Sequence, residues 1–324
     1  MIYMKLGVFT CLLGNLPLRQ ALEYFKSKGI EMVEIGCGGY PGNTHANPQE
    51  LLCDENKLNE FKSLIDEFGM PISALSCHGN PVHPNKEIAA QYDKTIRDTI
   101  LLAEKLGLHQ INTFSGCPGD HDGAKYPNWV TCPWPNDYSE VLEYQWNDVL
   151  IPYWKDLVAF AKAHGVNKIA LELHPGFCVY NTQSLLKLRE AVGPEIGANL
   201  DPSHLIWQGM EPVAVIRALG DAIFHFHAKD TKIDKYNTAV NGVLDTKPYS
   251  DEINRSWIFR SVGYGNDVAY WRDIISNLRL VGYDYAISIE HEDSLMSQNE
   301  GLTKAVSVLK DALITESTGD MWWV

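Results

Sequence analysis

Short apolar runs alternate with longer amphipathic segments along the whole chain, and nothing else in it constrains the fold as strongly. The strand-like runs are Leu6–Phe9, Met32–Ile35, Ile72–Ser76, Gln110–Phe114, Lys168–Leu173, Ile196–Leu200, Ile223–His227 and Ala286–Glu290. Helical patterns lie between and after them, at Leu18–Lys28, Lys57–Phe68, Lys86–Leu106, Gln145–Ala163, Thr182–Val192, Val213–Leu219, Val268–Leu280 and Leu302–Leu313. In the first of these, Leu18, Ala21, Leu22 and Phe25 form the stripe of a core-facing helix. Gly29, Gly69, Gly107, Gly165 and Gly282 stand just past helical segments and just before strands, where a left-handed cap residue is wanted. Such short helix-to-strand connections suit parallel strands joined by helical crossovers. Eight strands, each followed by a helix, predict a closed (β/α)8 TIM barrel. An open doubly wound sheet is disfavoured because FTCLLGNLP, after the first strand, carries no G-x-G-x-x-G turn.

No linker or repeat divides the chain, so residues 1–324 read as one domain. Two connections are long: Ser115 to Tyr144, after the fourth strand, and Asp230 to Asn266, after the seventh. Both leave C-terminal strand ends, where barrel enzymes build their sites, and their aromatics (Trp129, Trp134, Trp257, Phe259, Tyr264) argue for ordered, substrate-covering loops. A net charge of −14 argues against a nucleic-acid or anionic-membrane surface. Seven scattered cysteines without a C-x-x-C pair do not form a disulfide framework or thiolate metal site, and fit a reducing compartment. The N-terminal run is too short to span a membrane and lacks a cleavage signal, so a cytoplasmic protein is expected. The terminal Trp322–Trp323 pair is expected to pack against the barrel.

The chemistry is written at the ends of the last four strands. KIALELHPG ends with Glu172 and His174, and IGANLDPSH with Asp201 and His204. AIFHFHAKD ends with His227, Lys229 and Asp230, and AISIEHED with Glu290 and its acidic neighbours. In a barrel these ends converge on one axis. Three carboxylates and an imidazole brought together there repel and desolvate one another unless a cation sits between them. These four strand ends therefore read as the site of one divalent ion, although one of His225 and His227, which share a face, also reads as a hydrogen-bonded core histidine. The oxygen and nitrogen donors of the site favour Mn2+, with Mg2+, Co2+ and Zn2+ as alternatives.

The motifs E-L-H-P-G (172–176), N-L-D-P-S-H (199–204), H-F-H-A-K-D (225–230) and S-I-E-H-E-D (288–293) resemble those of the xylose isomerase-like barrels. K-L-G-V-F-T near the start and V-E-I-G-C-G-G-Y (33–40) fit as well. The likeness covers most of the chain and is strongest to the sugar epimerases, with tagatose 3-epimerase and inosose dehydratase. It implies a single metal on Glu172, Asp201, His227 and Glu290. The two glutamates would double as acid and base on opposite faces of the substrate carbon, and His204 would lie near substrate and metal. The tagatose-type epimerases have an arginine shortly after the strand-seven histidine; here the sequence is H-A-K-D, closer to the inosose dehydratase-like branch.

The expected activity is metal-dependent sugar isomerisation or epimerisation: proton abstraction beside a carbonyl gives a metal-bound enediolate. The alternative is a lyase or dehydratase on the same scaffold, acting on an inosose or a 3-keto-glycoside, with a small partner subunit conceivable. Lys229 would then serve as an acid or orient a substrate oxygen; an ion pair with a neighbouring carboxylate is the plainer reading. His78, Asn112, His174 and Arg260 are further candidates for substrate contact. The substrate would be a sugar, keto-sugar or cyclitol, and homo-oligomerisation is left open.

Overall fold

Eight parallel strands close on themselves, and their order around the barrel follows the chain. They are β1 (Lys5–Phe9), β2 (Met32–Gly36), β3 (Ile72–Ser76), β4 (Gln110–Thr113), β5 (Lys168–Glu172), β6 (Ile196–Leu200), β7 (Ile223–Ala228) and β10 (Ala286–Ile289). Closure is the parallel pairing of β1 with β10, Lys5 opposite Ala286 through Val8 opposite Ile289. β8 (Asp230–Ile233) and β9 (Trp257–Arg260) form a separate antiparallel pair above the rim. This computed structural model describes residues 4–316 and 319–324.

The helices form where their apolar stripes predict. Leu18–Lys28 buries Ala21, Leu22 and Phe25, and Thr182–Val192 buries Leu185 and Leu188. Four of the eight helical segments match their predicted bounds (18–28, 86–106, 182–192 and 268–280). All five predicted cap glycines have positive φ, between 59° and 84°. Between helices and barrel, Trp154 and Trp271 are fully buried. All seven cysteines are free. Among the described residues, no helix is long and apolar enough to cross a membrane.

The long connections carry more structure than their sequences disclose. After β4, the irregular stretch ends at Pro135, and a helix, Asn136–Glu143, runs through a π-helical turn, Tyr144–Leu150, into Ile151–Ala163. Gln145 in that turn is buried, and its Nε2 donates to the carbonyls of Pro118 (3.1 Å), Gly119 (3.2 Å) and Asn128 (2.6 Å). One amide thus ties Pro118 and Gly119 to Asn128 across the loop. After β7, the chain forms β8, a short helix at Lys235–Asn241 and β9 before returning to the barrel. The terminal tryptophans do not pack as expected: Trp322 is 87 % and Trp323 67 % exposed.

Asp230 fixes the second excursion. Its Oδ2 accepts from the backbone N–H groups of Gly263 (3.0 Å), Gly265 (3.1 Å) and Asn266 (3.0 Å), and from Trp271 Nε1 (3.2 Å). A Cβ at Gly265 would lie 2.4 Å from Asp230 Oδ1, so only glycine admits the carboxylate. Removing it strands several buried donors, each costing about 1–3 kcal/mol. We expect Asp230→Ala to lose at least about 3 kcal/mol in urea unfolding; a loss below about 1 kcal/mol would show that water replaces the carboxylate.

Candidate metal and active site

The C-terminal rim of the barrel gathers ionisable side chains from neighbouring strands. Asp201 follows β6 in D-P-S-H, which is also a helix start, with Asp at the N-cap and Pro in the first turn of Pro202–Trp207. Its Oδ1 accepts from Ser203 N at 2.8 Å, which leaves Oδ2 for the barrel axis. Glu172 ends β5, His227 lies on β7 and Glu290 follows β10. One ligand atom from each of Glu172, Asp201, His227 and Glu290 lies within 4.8 Å of all the others.

The orientation of His227 decides what this group can do. Its Nδ1 is 3.0 Å from Glu290 Oε2 and 3.6 Å from Glu172 Oε2. Its Nε2 donates to Glu34, at 2.9 Å from Oε2 and 3.0 Å from Oε1. Glu34 is fully buried on β2 and also accepts from Ser76 Oγ (2.5 Å), Asn112 Nδ2 (3.0 Å) and Ser288 Oγ (2.8 Å). A carboxylate on the far nitrogen of a histidine holds the ring so that its other nitrogen serves as a ligand. Sequence reasoning missed Glu34 as a functional residue. The available signal was one carboxylate in MVEIG, an otherwise apolar strand buried along its length.

Burial raises the Glu34 carboxyl, but the imidazoles of His227 and His225 overcome this and hold it well below its ordinary value. Burial lowers His227, and Glu34 and Glu290 more than reverse this, so its pKa lies well above the usual value. Asp201 is pushed up to about 6 by burial, with Glu172 and Glu290 adding to the rise against the Lys229 ammonium. Burial likewise opposes ionisation of Glu290, but Lys229 and His227 bring it down to about 2. Lys229 Nζ lies 2.9 Å from Glu290 Oε2, 3.0 Å from Glu292 Oε2 and 3.1 Å from Asp201 Oδ2. Burial depresses its pKa, yet the surrounding carboxylates carry it well above the ordinary lysine value. Lys229 is thus a fixed positive charge.

These residues fit a divalent cation. Asp201 Oδ2, which faces the Lys229 ammonium at 3.1 Å, His204 Nε2 and both ring nitrogens of His78 are buried without an aligned hydrogen bond. His78 Nε2 lies 3.0 Å from Glu172 Oε2 and His204 Nε2 3.2 Å from Glu172 Oε1, both outside hydrogen-bonding alignment. Lone pairs and N–H groups left over in so polar a buried cluster are what a bound ion and its ligands take up.

Above the cluster opens a cavity of about 800 Å³. His78, Glu172, His174, Lys229 and Glu290 line it, as does Glu292, which sequence reasoning did not single out. His174 Nδ1 donates to Pro175 O at 2.6 Å, and its ring lies 4.0 Å from that of His204. Two expected substrate contacts lie elsewhere. Asn112 is fully buried and spends its amide on Glu34. Arg260 pairs with Asp293 (Nε to Oδ2, 3.1 Å) and sits over Tyr264, while its neighbours Ile258 and Phe259 line the cavity instead.

Known proteins agree with this architecture. The family model for xylose isomerase-like TIM barrels matches residues 22–312, and the chain belongs to that family. It is 41 % identical over 312 residues to the uncharacterized protein YfiH of Bacillus subtilis (strain 168), covering 96 % of this chain and 99 % of that one. A D-tagatose 3-epimerase-like protein superposes with a TM-score of 0.63 at 21 % identity, over 95 % of this chain and 98 % of the other. The probable 3-DHS dehydratase AsbF of Bacillus anthracis does so with a TM-score of 0.62 at 18 % identity, over 95 % and 99 %. At such identities the two structures share the fold.

The depressed carboxyls set the sign of the acid response. Glu34 and Glu290 stabilise the fold above their unfolded value of about 4.5, and that contribution is lost as the pH falls toward their folded values. His227 is raised, so its contribution is complete below about 6.5 and is lost as the pH rises through its folded value. Between about pH 5 and pH 3, the melting temperature of the native protein should therefore fall more steeply than that of Glu34→Gln. Parallel slopes would show that Glu34 is not ionised in the folded protein.

Proposed function

We propose that this protein is a divalent-metal-dependent sugar isomerase or epimerase that moves a proton on the carbon beside a substrate carbonyl. One observation carries the reading: Glu172 and Glu290 meet at His227 Nδ1, at the floor of a cavity also lined by His78, His174 and Lys229. Support comes from the family, whose structural neighbours by name include an epimerase-like protein and a dehydratase.

A divalent ion on Glu172, Asp201, His227 and Glu290, for which Mn2+ is favoured, supplies Lewis-acid polarisation of the carbonyl. The protein does the rest. Glu34 fixes the ring of His227. One of Glu172 and Glu290, each ionised at neutral pH, takes the proton from carbon and leaves an enediolate. The other, after taking up a proton from solvent, returns it: to the opposite face for epimerisation, or to the neighbouring carbon for aldose–ketose isomerisation. His204 and His78, with ring nitrogens otherwise unpartnered, hydrogen-bond to substrate oxygens. The Lys229 ammonium steadies the negative charge that builds during proton removal.

Lys229 also favours the second reading. A cation at the cavity wall stabilises a departing oxygen anion, as dehydration or β-elimination of a 3-keto-glycoside requires. Either outcome begins with the same proton abstraction, so solvent exchange tests both. In D2O, a panel of ketoses, inososes and 3-keto-glycosides should include a substrate whose proton exchanges, followed by NMR. Glu172→Gln and Glu290→Gln should each slow that exchange at least about 100-fold, and removal of metal by a chelator should abolish it. The product then separates isomerase from lyase. Exchange undiminished in both variants would sink the proposal.

A further inference from the structure

The two ends of the cavity differ in chemistry. One carries Glu172, Lys229, Glu290 and Glu292; the other is walled by Tyr40, Pro41, Phe114 and Phe177, with the His174 ring packed edge-on against the two phenylalanines at 4.9 and 5.6 Å. Phe114 and Phe177 are stacked, with ring centroids 4.3 Å apart and planes 21° apart. The Tyr40 ring stands 6.0 Å from Phe114 and 6.5 Å from Phe177.

Tyr40 is 60 % exposed, yet the chain holds it in place. In G-C-G-G-Y, Gly39 has φ +73°, and a Cβ there would lie 1.9 Å from the carbonyl oxygen of His78. That close approach lets Tyr40 N donate to the same oxygen at 2.8 Å. The Tyr40 ring packs 5.6 Å from Tyr92. Such anchoring suits a ring that receives a ligand, because little freedom is left to lose on binding. His78 joins the two ends: its carbonyl anchors Tyr40, and its ring reaches Glu172 and packs edge-on against Phe114 at 4.6 Å.

We infer that Tyr40, Phe114 and Phe177 form a second subsite, which takes a flat apolar aglycone, so that the substrate is a keto-glycoside rather than a free sugar. This rests on the proposed function in that the sugar occupies the end with the carboxylates. About 800 Å³ lies toward the upper end of the range for small-molecule sites, and one hexose ring leaves much of it unfilled. A second sugar would need several partners for its hydroxyls, and these four residues carry one polar side-chain group between them, the Tyr40 hydroxyl. Aromatic faces and an apolar ring satisfy each other without hydrogen bonds.

The test uses unreactive probes on the full-length protein incubated with Mn2+: phenyl and methyl β-D-glucosides and β-D-galactosides, together with cellobiose, by titration calorimetry. In at least one configuration the phenyl glycoside should bind about tenfold or more tightly than its methyl partner. Phe177→Ala and Tyr40→Ala should bring that ratio close to one with unchanged Mn2+ stoichiometry, whereas Tyr40→Phe should keep it. Equal binding of each pair, no binding by any phenyl glycoside, tightest binding by cellobiose, or a ratio unmoved in Phe177→Ala and Tyr40→Ala would each overturn the inference. Because the probes need no turnover, a phenyl preference that persists while no substrate exchanges its proton would leave this inference standing and remove the proton-transfer reading.

Discussion

The hydrogen bond from His227 to Glu34 is the contact on which the rest of the site depends. It joins β7 to β2 across the barrel, with both residues fully buried. A buried carboxylate without partners would give up its charge. Here three further donors on β3, β4 and β10 (Ser76, Asn112 and Ser288) complete its shell. Donors from four strands thus converge on one carboxylate, and a barrel whose strands slipped by one residue would turn them to the other face. The same bond fixes the ring of His227 and turns Nδ1 toward Glu172 and Glu290. The floor of the site is therefore as rigid as the barrel itself.

On that floor the charges are arranged to conflict. Glu172, Asp201 and Glu290 oppose one another, and Lys229 and His227 offset part of the repulsion. The conflict falls unevenly: Asp201 is raised to about 6 while Glu290 is held near 2. Lys229 moves the opposite way from an acid catalyst, whose pKa must fall toward neutrality, so a fixed charge suits it better than a proton donor.

Much of this was legible in the sequence, for identifiable reasons. Helix stripes and cap glycines are local signals, and the barrel follows from their repetition. Strand ends such as E-L-H and L-D-P-S-H place polar residues where an apolar run stops, so the elements delivering Glu172 and Asp201 can be read one at a time. Glu34 was not legible as an orienting group because its meaning lies in partners 42, 78, 193 and 254 residues away. Asn112 and Arg260 were misplaced for the same kind of reason. A strand position does not say whether an amide faces a cavity or a buried carboxylate, and Asp293 lies 33 residues from the arginine it holds. The order inside the long connections was hidden because Gln145 and Asp230 impose it by capping distant backbone groups, which no periodicity records.

The contrast between floor and walls bears on where specificity resides. Strand ends supply the carboxylates and imidazoles, and these sit in the closed barrel, where a shift of one strand disturbs its neighbours. The walls come from excursions: Tyr40 from the turn after β2, Phe177 from the loop after β5, Tyr249, Ile258 and Phe259 from the β8–β9 insertion. Polar contacts to the backbone hold these excursions, as at Gly39 and Asp230, so a wall ring can change while the anchor stays. Proton abstraction needs only the floor; the choice of which sugar, and of what is attached to it, is made by the walls. A barrel built this way can keep one chemistry while its substrates diverge, and for that reason family membership alone does not name the substrate.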